Sequence, residues 1–188
     1  DYKALQTRVG RFLKGSSQTL AKSLAAAGIT LYEGRGVCAG KGQAIVRSES
    51  GEEMLTTDNI ILSCGSSSAS FPGLAPDGDA VLDSTGVLNL PEVPESLIIV
   101  GAGAIGLELG DFFGMMGSKI TIVEAAPHIA PTEDADIAKE MDRVQSKAGR
   151  TCITGVMAKS LVTKDGQAEL TLGDGRVLTA SKALVAVG

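Results

Sequence analysis

Gly101-Ala102-Gly103-Ala104-Ile105-Gly106 has the G-x-G-x-x-G spacing, and it stands between an apolar run, Leu97–Val100, and the start of an amphipathic segment. In that setting each glycine has its own task. Gly101 permits a tight turn, Gly103 lets a diphosphate come up to the backbone, and Gly106 lets the following helix lie close to the strand. The helix start at Ala104 and Ile105 then offers free N–H groups and the positive end of a dipole to the phosphates. Glu124 closes a second apolar run, Ile120-Thr121-Ile122-Val123, and lies 23 residues beyond Gly101, where an acid accepts a hydrogen bond from a ribose 2′-hydroxyl. A carboxylate repels a 2′-phosphate, and Ala125-Ala126-Pro127-His128 bring no arginine or lysine to receive one. The pattern predicts a dinucleotide site that takes NAD rather than NADP, with Ala125 beside the ribose. A solvated strand-end glutamate is the alternative reading of Glu124.

The other chemistry-bearing residues are less informative. Glu108, one turn into the helix, reads as an exposed acid complementing the dipole, with a place facing the nicotinamide as the alternative. His128, the only histidine, reads as a solvated loop residue, and no carboxylate or nucleophile stands at a spacing that makes a triad. Cys38, Cys64 and Cys152 have neither zinc-site nor Cys-x-x-Cys spacing, so they are expected to be ordinary buried thiols in a reducing compartment.

The elements that must position the site follow from periodicity. Strand Leu97–Val100, helix Ala104–Met116, strand Lys119–Val123, helix Asp134–Lys147 and strand Thr151–Ile153 give the order β-α-β-α-β, which implies parallel pairing with right-handed crossovers. Short runs at Ser160–Thr163, Gln167–Leu172 and Arg176–Thr179 are divided by the hairpin pairs Asp165-Gly166 and Asp174-Gly175, and an apolar strand Ala183–Val187 ends the unit. Upstream, a helix over Leu5–Ala27 closes at Gly28. Strands are expected at Ile29–Tyr32, Gln43–Arg47 and Asn59–Ser63, forming a small antiparallel meander that feeds a buried strand Ile60-Ile61-Leu62. Proline, serine and glycine crowd the stretch from Gly65 to Pro94, which reads as a connector.

The two halves share this order of helix, strand, meander and strand. Gly42-Gln43-Ala44 matches Gly166-Gln167-Ala168, and Asn59-Ile60-Ile61-Leu62-Ser63-Cys64-Gly65 matches the segment from Lys182 to Gly188. The expected fold is therefore α/β: a Rossmann-like parallel sheet with an antiparallel meander, of the FAD/NAD(P)-binding type, preceded by a partial second copy of the same fold. Residues 1–70 would be the C-terminal part of an FAD-binding domain, 71–95 a connector and 96–188 an NAD-binding domain. On this reading both ends look cut, and the chain begins inside its first domain.

Composition narrows the partners. Twenty-four glycines in 188 residues suit many tight turns, and a net charge of −5 with no concentrated basic run argues against an extended nucleic-acid interface. No apolar run has the length of a membrane span and no signal peptide is recognisable, so a cytoplasmic or similar compartment is expected, with a small-molecule nucleotide as the ligand.

These residues resemble the flavin-dependent pyridine nucleotide–disulfide oxidoreductases over nearly the whole chain, and within them the members that oxidise dihydrolipoamide. The resemblance rests on the segment from Val93 to Glu108, on Val123-Glu124 and on Ile129-Ala130-Pro131-Thr132-Glu133-Asp134. Asp83-Ser84-Thr85-Gly86-Val87-Leu88 is similar to the family's interdomain connector, and Gly34-Arg35-Gly36 through Gly42 is similar to part of its FAD domain. Ile61-Leu62-Ser63-Cys64-Gly65-Ser66 resembles the family's Ala-Thr-Gly-type segment near FAD, with Cys64 where threonine is usual. Ala186-Val187-Gly188 resembles the second such segment.

The resemblance implies FAD contacts at Gly36, Ser63, Cys64 and Gly65. It implies NAD contacts at Gly101, Gly103, Ala104, Ile105, Gly106, Glu108, Glu124, Ala125 and Gly188. It also implies a parent that works as a homodimer, with a 2-oxo acid dehydrogenase complex as a partner assembly, in the bacterial cytoplasm or the mitochondrial matrix. The family's N-terminal FAD glycine motif, its Cys-x-x-x-x-Cys disulfide and its C-terminal His-Glu pair do not occur in these 188 residues, so the isolated chain is expected to be inactive. A non-catalytic NAD/NADH-sensing module and another NAD-linked flavoprotein disulfide reductase are the competing readings. A stand-alone Rossmann dehydrogenase would need a catalytic residue downstream of the nucleotide fold.

Overall fold

A computed structural model describes residues 1–69 and 71–188 and divides them into two compact units, residues 3–66 with Asp1 and residues 67–188 with Tyr2. Ser70, the last residue of the first expected domain, lies outside the described residues.

In the first unit, helix α1 spans Tyr2–Ala26, and the Asp1 carboxylate caps it by accepting from the Ala4 N–H at 3.2 Å. Its end is a Schellman turn: Gly28 at φ +74° donates to Ala25, and Ile29 donates to Leu24, both at 3.0 Å. Strands β1 (Arg35–Gly40), β2 (Gln43–Ser48) and β3 (Gly51–Thr56) form an antiparallel sheet in that order.

Two expected strands of this unit are corrected. Ile29–Tyr32 and Asn59–Ser63 form no strand, and Ile61 and Leu62 are 89% and 72% exposed instead of buried. A continuous apolar run becomes a buried strand only where neighbouring strands pair with it and both of its faces are covered. Among the described residues of the unit, the strands are β1, β2 and β3, which pair with one another. The same openness corrects the cysteines: Cys38 in β1 and Cys64 in the strandless stretch are exposed, and Cys152 is half-buried.

The second unit contains β4 (Val81–Leu82), α2 (Ser84–Leu88), β5 (Ser96–Val100), α3 (Ala104–Met115), β6 (Lys119–Val123), α4 (Ala135–Lys147), β7 (Thr151–Ile153), β8 (Ala158–Lys164), β9 (Gln167–Leu172), β10 (Val177–Ala180) and β11 (Lys182–Val185). Five of the strands make a parallel sheet in the order β4-β11-β5-β6-β7, and β10-β9-β8 make an antiparallel one. The stretch read as a connector thus supplies α2 and the edge strand β4. Two short elements punctuated by prolines and glycines carry too little periodicity to be read.

Alternation along β5 assigns the layers. Ile98 and Val100 pack with Leu161, Ala168, Leu170 and Leu172 of the meander, while Leu97 and Ile99 pack with Leu107 and Phe113 of α3. Both faces are covered, which is why these strands are apolar without interruption. Helix α3 lies close because one of its faces is glycine: a methyl at Gly110 would stand 2.9 Å from Ile99 Cδ1. At Gly114 it would stand 2.8 Å from Nε of Arg150, whose buried guanidinium pairs with Asp111 at 2.6 Å and donates to Gln145 Oε1 at 2.8 Å.

Both units contain a helix followed by a three-stranded antiparallel meander, while the strands expected before and after the meander form only in the second. The equivalent first turns are alike in detail, with Gly42 at φ +69° preceding Gln43 of β2 and Gly166 at φ +75° preceding Gln167 of β9.

Candidate functional site

The order of the parallel sheet reverses at β5, since the chain passes from it to β6 and β7 on one side and places β11 on the other. Such a switch point opens a crevice beyond the carboxyl ends of the strands, where open α/β sheets bind ligands. Three loops converge there: Gly101–Gly103 after β5, Glu124–Ala130 after β6, and Ala186–Gly188 after β11. Short hydrogen bonds lock them to the strands, from Gly101 N–H to the Val123 carbonyl and from Ala186 N–H to the Val100 carbonyl, both at 2.8 Å.

The glycines differ physically. Gly101 has φ +104°, and a methyl there would strike the Ala186 carbonyl oxygen. Gly106 is buried, and its methyl would strike the Gly101 carbonyl oxygen and stand 3.1 Å from Ile99 Cγ2. Gly103 is the N-cap of α3 at φ −75°, and a methyl there would meet nothing within 4 Å. Two glycines therefore serve internal packing, and the third faces open space. The first turn of α3 cannot satisfy the N–H groups of Ala104, Ile105 and Gly106 within the helix, and the exposed Ala104 and Ile105 border that space. A diphosphate fits this cradle, with a backbone free of side-chain bulk below it and amide donors at its edge.

Glu124 is partly buried, and both of its oxygens are engaged. Oε2 accepts from the Ala102 N–H at 2.7 Å and Oε1 from the Ala126 N–H at 2.8 Å. Each oxygen keeps a second lone pair for a hydroxyl. Ala102, fully buried, also accepts at its carbonyl from the Ala130 N–H at 2.9 Å. Ala130 adopts φ +48°, unusual for a residue with a side chain and unexpected before Pro131.

Among the other expected contacts, Glu108 is exposed on α3, Ala125 is exposed beside Glu124, and Gly188 is exposed at φ +138° with its carbonyl accepting from Ala69. His128 corrects its reading as a solvated residue: it is half-buried, with Nδ1 2.9 Å from the Ile129 carbonyl oxygen. Burial pushes the Cys152 thiol above its ordinary range, helped by the charge of Asp142, so it is a poor nucleophile. Gly36 lies in β1, and Ser63, Cys64 and Gly65 lie in an exposed stretch, both in the first unit. The residues that sequence reasoning missed are Ala102, Ala126 and Ala130. They act through backbone atoms, which carry no residue-type signal.

Comparison with known proteins adds three kinds of likeness. The family model described as pyridine nucleotide-disulphide oxidoreductase matches residues 5–188. A dihydrolipoyl dehydrogenase of Chlorobaculum tepidum is 38% identical over 92% of this chain and 38% of its own length. The human mitochondrial dihydrolipoyl dehydrogenase is 34% identical over 82% of this chain and 32% of its own. The chain therefore spans 32–38% of the length of these relatives. Among solved structures, LpdA from Mycobacterium tuberculosis superposes with a TM-score of 0.90 at 25% identity, over 99% of this chain and 42% of its own. The HOCl-induced flavoprotein disulfide reductase RclA from Escherichia coli, as a Cu(II) complex, gives 0.91 at 26%, over 100% and 43%.

Proposed function

Because the chain belongs to the pyridine nucleotide–disulphide oxidoreductase family, whose dihydrolipoyl dehydrogenases use FAD and NAD, we propose that residues 96–188 are the NAD-binding portion of a dihydrolipoamide dehydrogenase. The observation that carries this reading is the open backbone at Gly103 beside an acid, Glu124, that a 2′-phosphate would meet unfavourably. When bound, NAD supplies a nicotinamide that accepts hydride from a reduced flavin, chemistry that belongs to the cofactors. The chain's own residues orient. Gly103 and the α3 N-terminus hold the diphosphate, Glu124 accepts from the ribose hydroxyl, and Glu108 and Gly188 stand toward the nicotinamide end. Fixing the ring in this way converts an encounter into a positioned reaction.

In the whole protein, Gly36, Ser63, Cys64 and Gly65 would contact FAD, and parallel neighbours from outside the described residues would cover Ile60–Leu62. A homodimeric parent working with a 2-oxo acid dehydrogenase complex, in bacterial cytoplasm or mitochondrial matrix, accords with the bacterial and mitochondrial relatives. A second reading in the same class, another NAD-linked flavoprotein disulfide reductase, is favoured by the TM-score of 0.91 to RclA. Isothermal titration of the chain with NADH and NADPH tests the common core of both readings. NADH should bind at least about tenfold more tightly, as loss of one charge-assisted hydrogen bond implies. Equal affinities, or none, would overturn the assignment.

A further inference from the structure

Resting on that reading, we infer that Glu124 and Ala130 form a two-sided clamp on Ala102 that aims the glycine loop at the diphosphate, so that Glu124 is a positioning residue as well as a ribose acceptor. The geometry follows from peptide planarity. In a trans peptide the C=O and the next N–H point in opposite directions, and no cis bond occurs among the described residues. The Ala102 carbonyl is held by the Ala130 N–H at 2.9 Å, so the Gly103 N–H of the same plane points away from Ala130. On the other side, Glu124 Oε2 holds the Ala102 N–H at 2.7 Å, which turns the Gly101 carbonyl the opposite way. The position of that carbonyl beneath Gly106 agrees with this.

Both polar backbone atoms of Ala102 are thus consumed, and the residue is completely buried. The two planes that flank it cannot rotate without breaking a bond that water cannot replace. The φ of +48° at Ala130 is the local cost of presenting its N–H at this point. Dinucleotide preference and loop order are therefore coupled at position 124. A substitution that merely removes repulsion toward a 2′-phosphate also releases Ala102.

The test separates the two roles of Glu124 by ligand. ADP and 2′-deoxy-ADP both carry the diphosphate, and only the first carries the ribose 2′-hydroxyl. Titration of wild type and Glu124→Gln with each should show both affinities falling, by about tenfold for one charge-assisted bond lost. In the ligand-free chain, amide exchange at Ala102 should quicken at least tenfold in Glu124→Gln while Ile98 and Ile122 keep their protection. A variant that loses ADP affinity alone, with Ala102 exchange unchanged, would overturn the clamp. Should wild type bind neither nucleotide, the NAD reading fails, and Ala102 exchange still decides the clamp. Should Glu124→Gln lose its core protection, wild type decides by trans-hydrogen-bond NMR couplings from Ala102 N to the Glu124 carboxyl carbon and from Ala130 N to the Ala102 carbonyl carbon. Their absence would overturn the clamp.

Discussion

Replacing each motif glycine by alanine in turn should produce two different kinds of damage. At Gly101 the alanine must hold φ +104°, which costs roughly 1–2 kcal/mol, and it must displace the Ala186 carbonyl, an overpacking term of about 1–3 kcal/mol. The total, about 2–5 kcal/mol, is a large part of the roughly 5–15 kcal/mol that holds a domain folded. At Gly106 the overpacking term acts alone, because α3 must lift from Ile99 and from the Gly101 carbonyl. At Gly103 φ is −75° and the space is open, so the stability change should stay under about 1 kcal/mol, the scale of an N-cap substitution. That methyl would stand where the diphosphate approaches. Loss of two charge-assisted hydrogen bonds, about 3 kcal/mol, would weaken NADH by about a hundredfold. Urea unfolding followed through amide exchange of β5 and β6, paired with isothermal titration of NADH, separates these outcomes. A Gly103→Ala chain that binds NADH as wild type does, or a Gly101→Ala chain as stable as wild type, would refute the division of labour.

Three other perturbations probe different parts of the account. Burial acts to raise the Asp77 carboxyl, but hydrogen bonds from Thr163 and from the N–H groups of Asp79 and Val81 outweigh it and hold the group below the ordinary 3.8. Its contribution is therefore complete above that value and is lost as pH falls through the lower folded one, so the Val81 amide should lose protection in acid. Asp77→Ala should abolish that dependence, and an unchanged acid profile would contradict the assignment. Asp111→Ala strands one side of the Arg150 guanidinium and should destabilise the second unit by about 1–3 kcal/mol, as calorimetry can read. A cost near zero would mean that Gln145 and the Asp111 carbonyl suffice. Finally, the flavin-free chain should not turn over dihydrolipoamide with NAD, and activity above background in a spectrophotometric NADH assay would refute its reading as a positioning module.

How much of this was legible in sequence depended on the range of the interactions involved. β5, α3, β6, α4, β7 and the meander were readable to within a few residues, because alternation, helical spacing and glycine punctuation are local signals. Ile29–Tyr32 and Ile60–Leu62 were misread for the opposite reason. Their apolar character describes what a strand needs from neighbours, and pairing is not local. The cysteines failed similarly, since thiol burial depends on what covers β1 and residues 57–69. At the site, the residue types of Gly101, Gly103, Gly106 and Glu124 pointed to a dinucleotide. The clamp on Ala102 was invisible because alanine backbone atoms make it, and the Ala130-Pro131 pair argues for extended backbone where φ is +48°.

On the proposed reading, a dinucleotide lies across the carboxyl ends of β5 and β6 with its diphosphate over Gly103 and its adenosine ribose at Glu124. A crystal structure of the chain soaked with NADH tests it most directly. Diphosphate oxygens should lie within hydrogen-bond distance of the N–H groups at the α3 N-terminus, and a ribose hydroxyl on the Glu124 carboxylate. A nucleotide bound elsewhere, or bound here with its ribose turned away from Glu124, would contradict it.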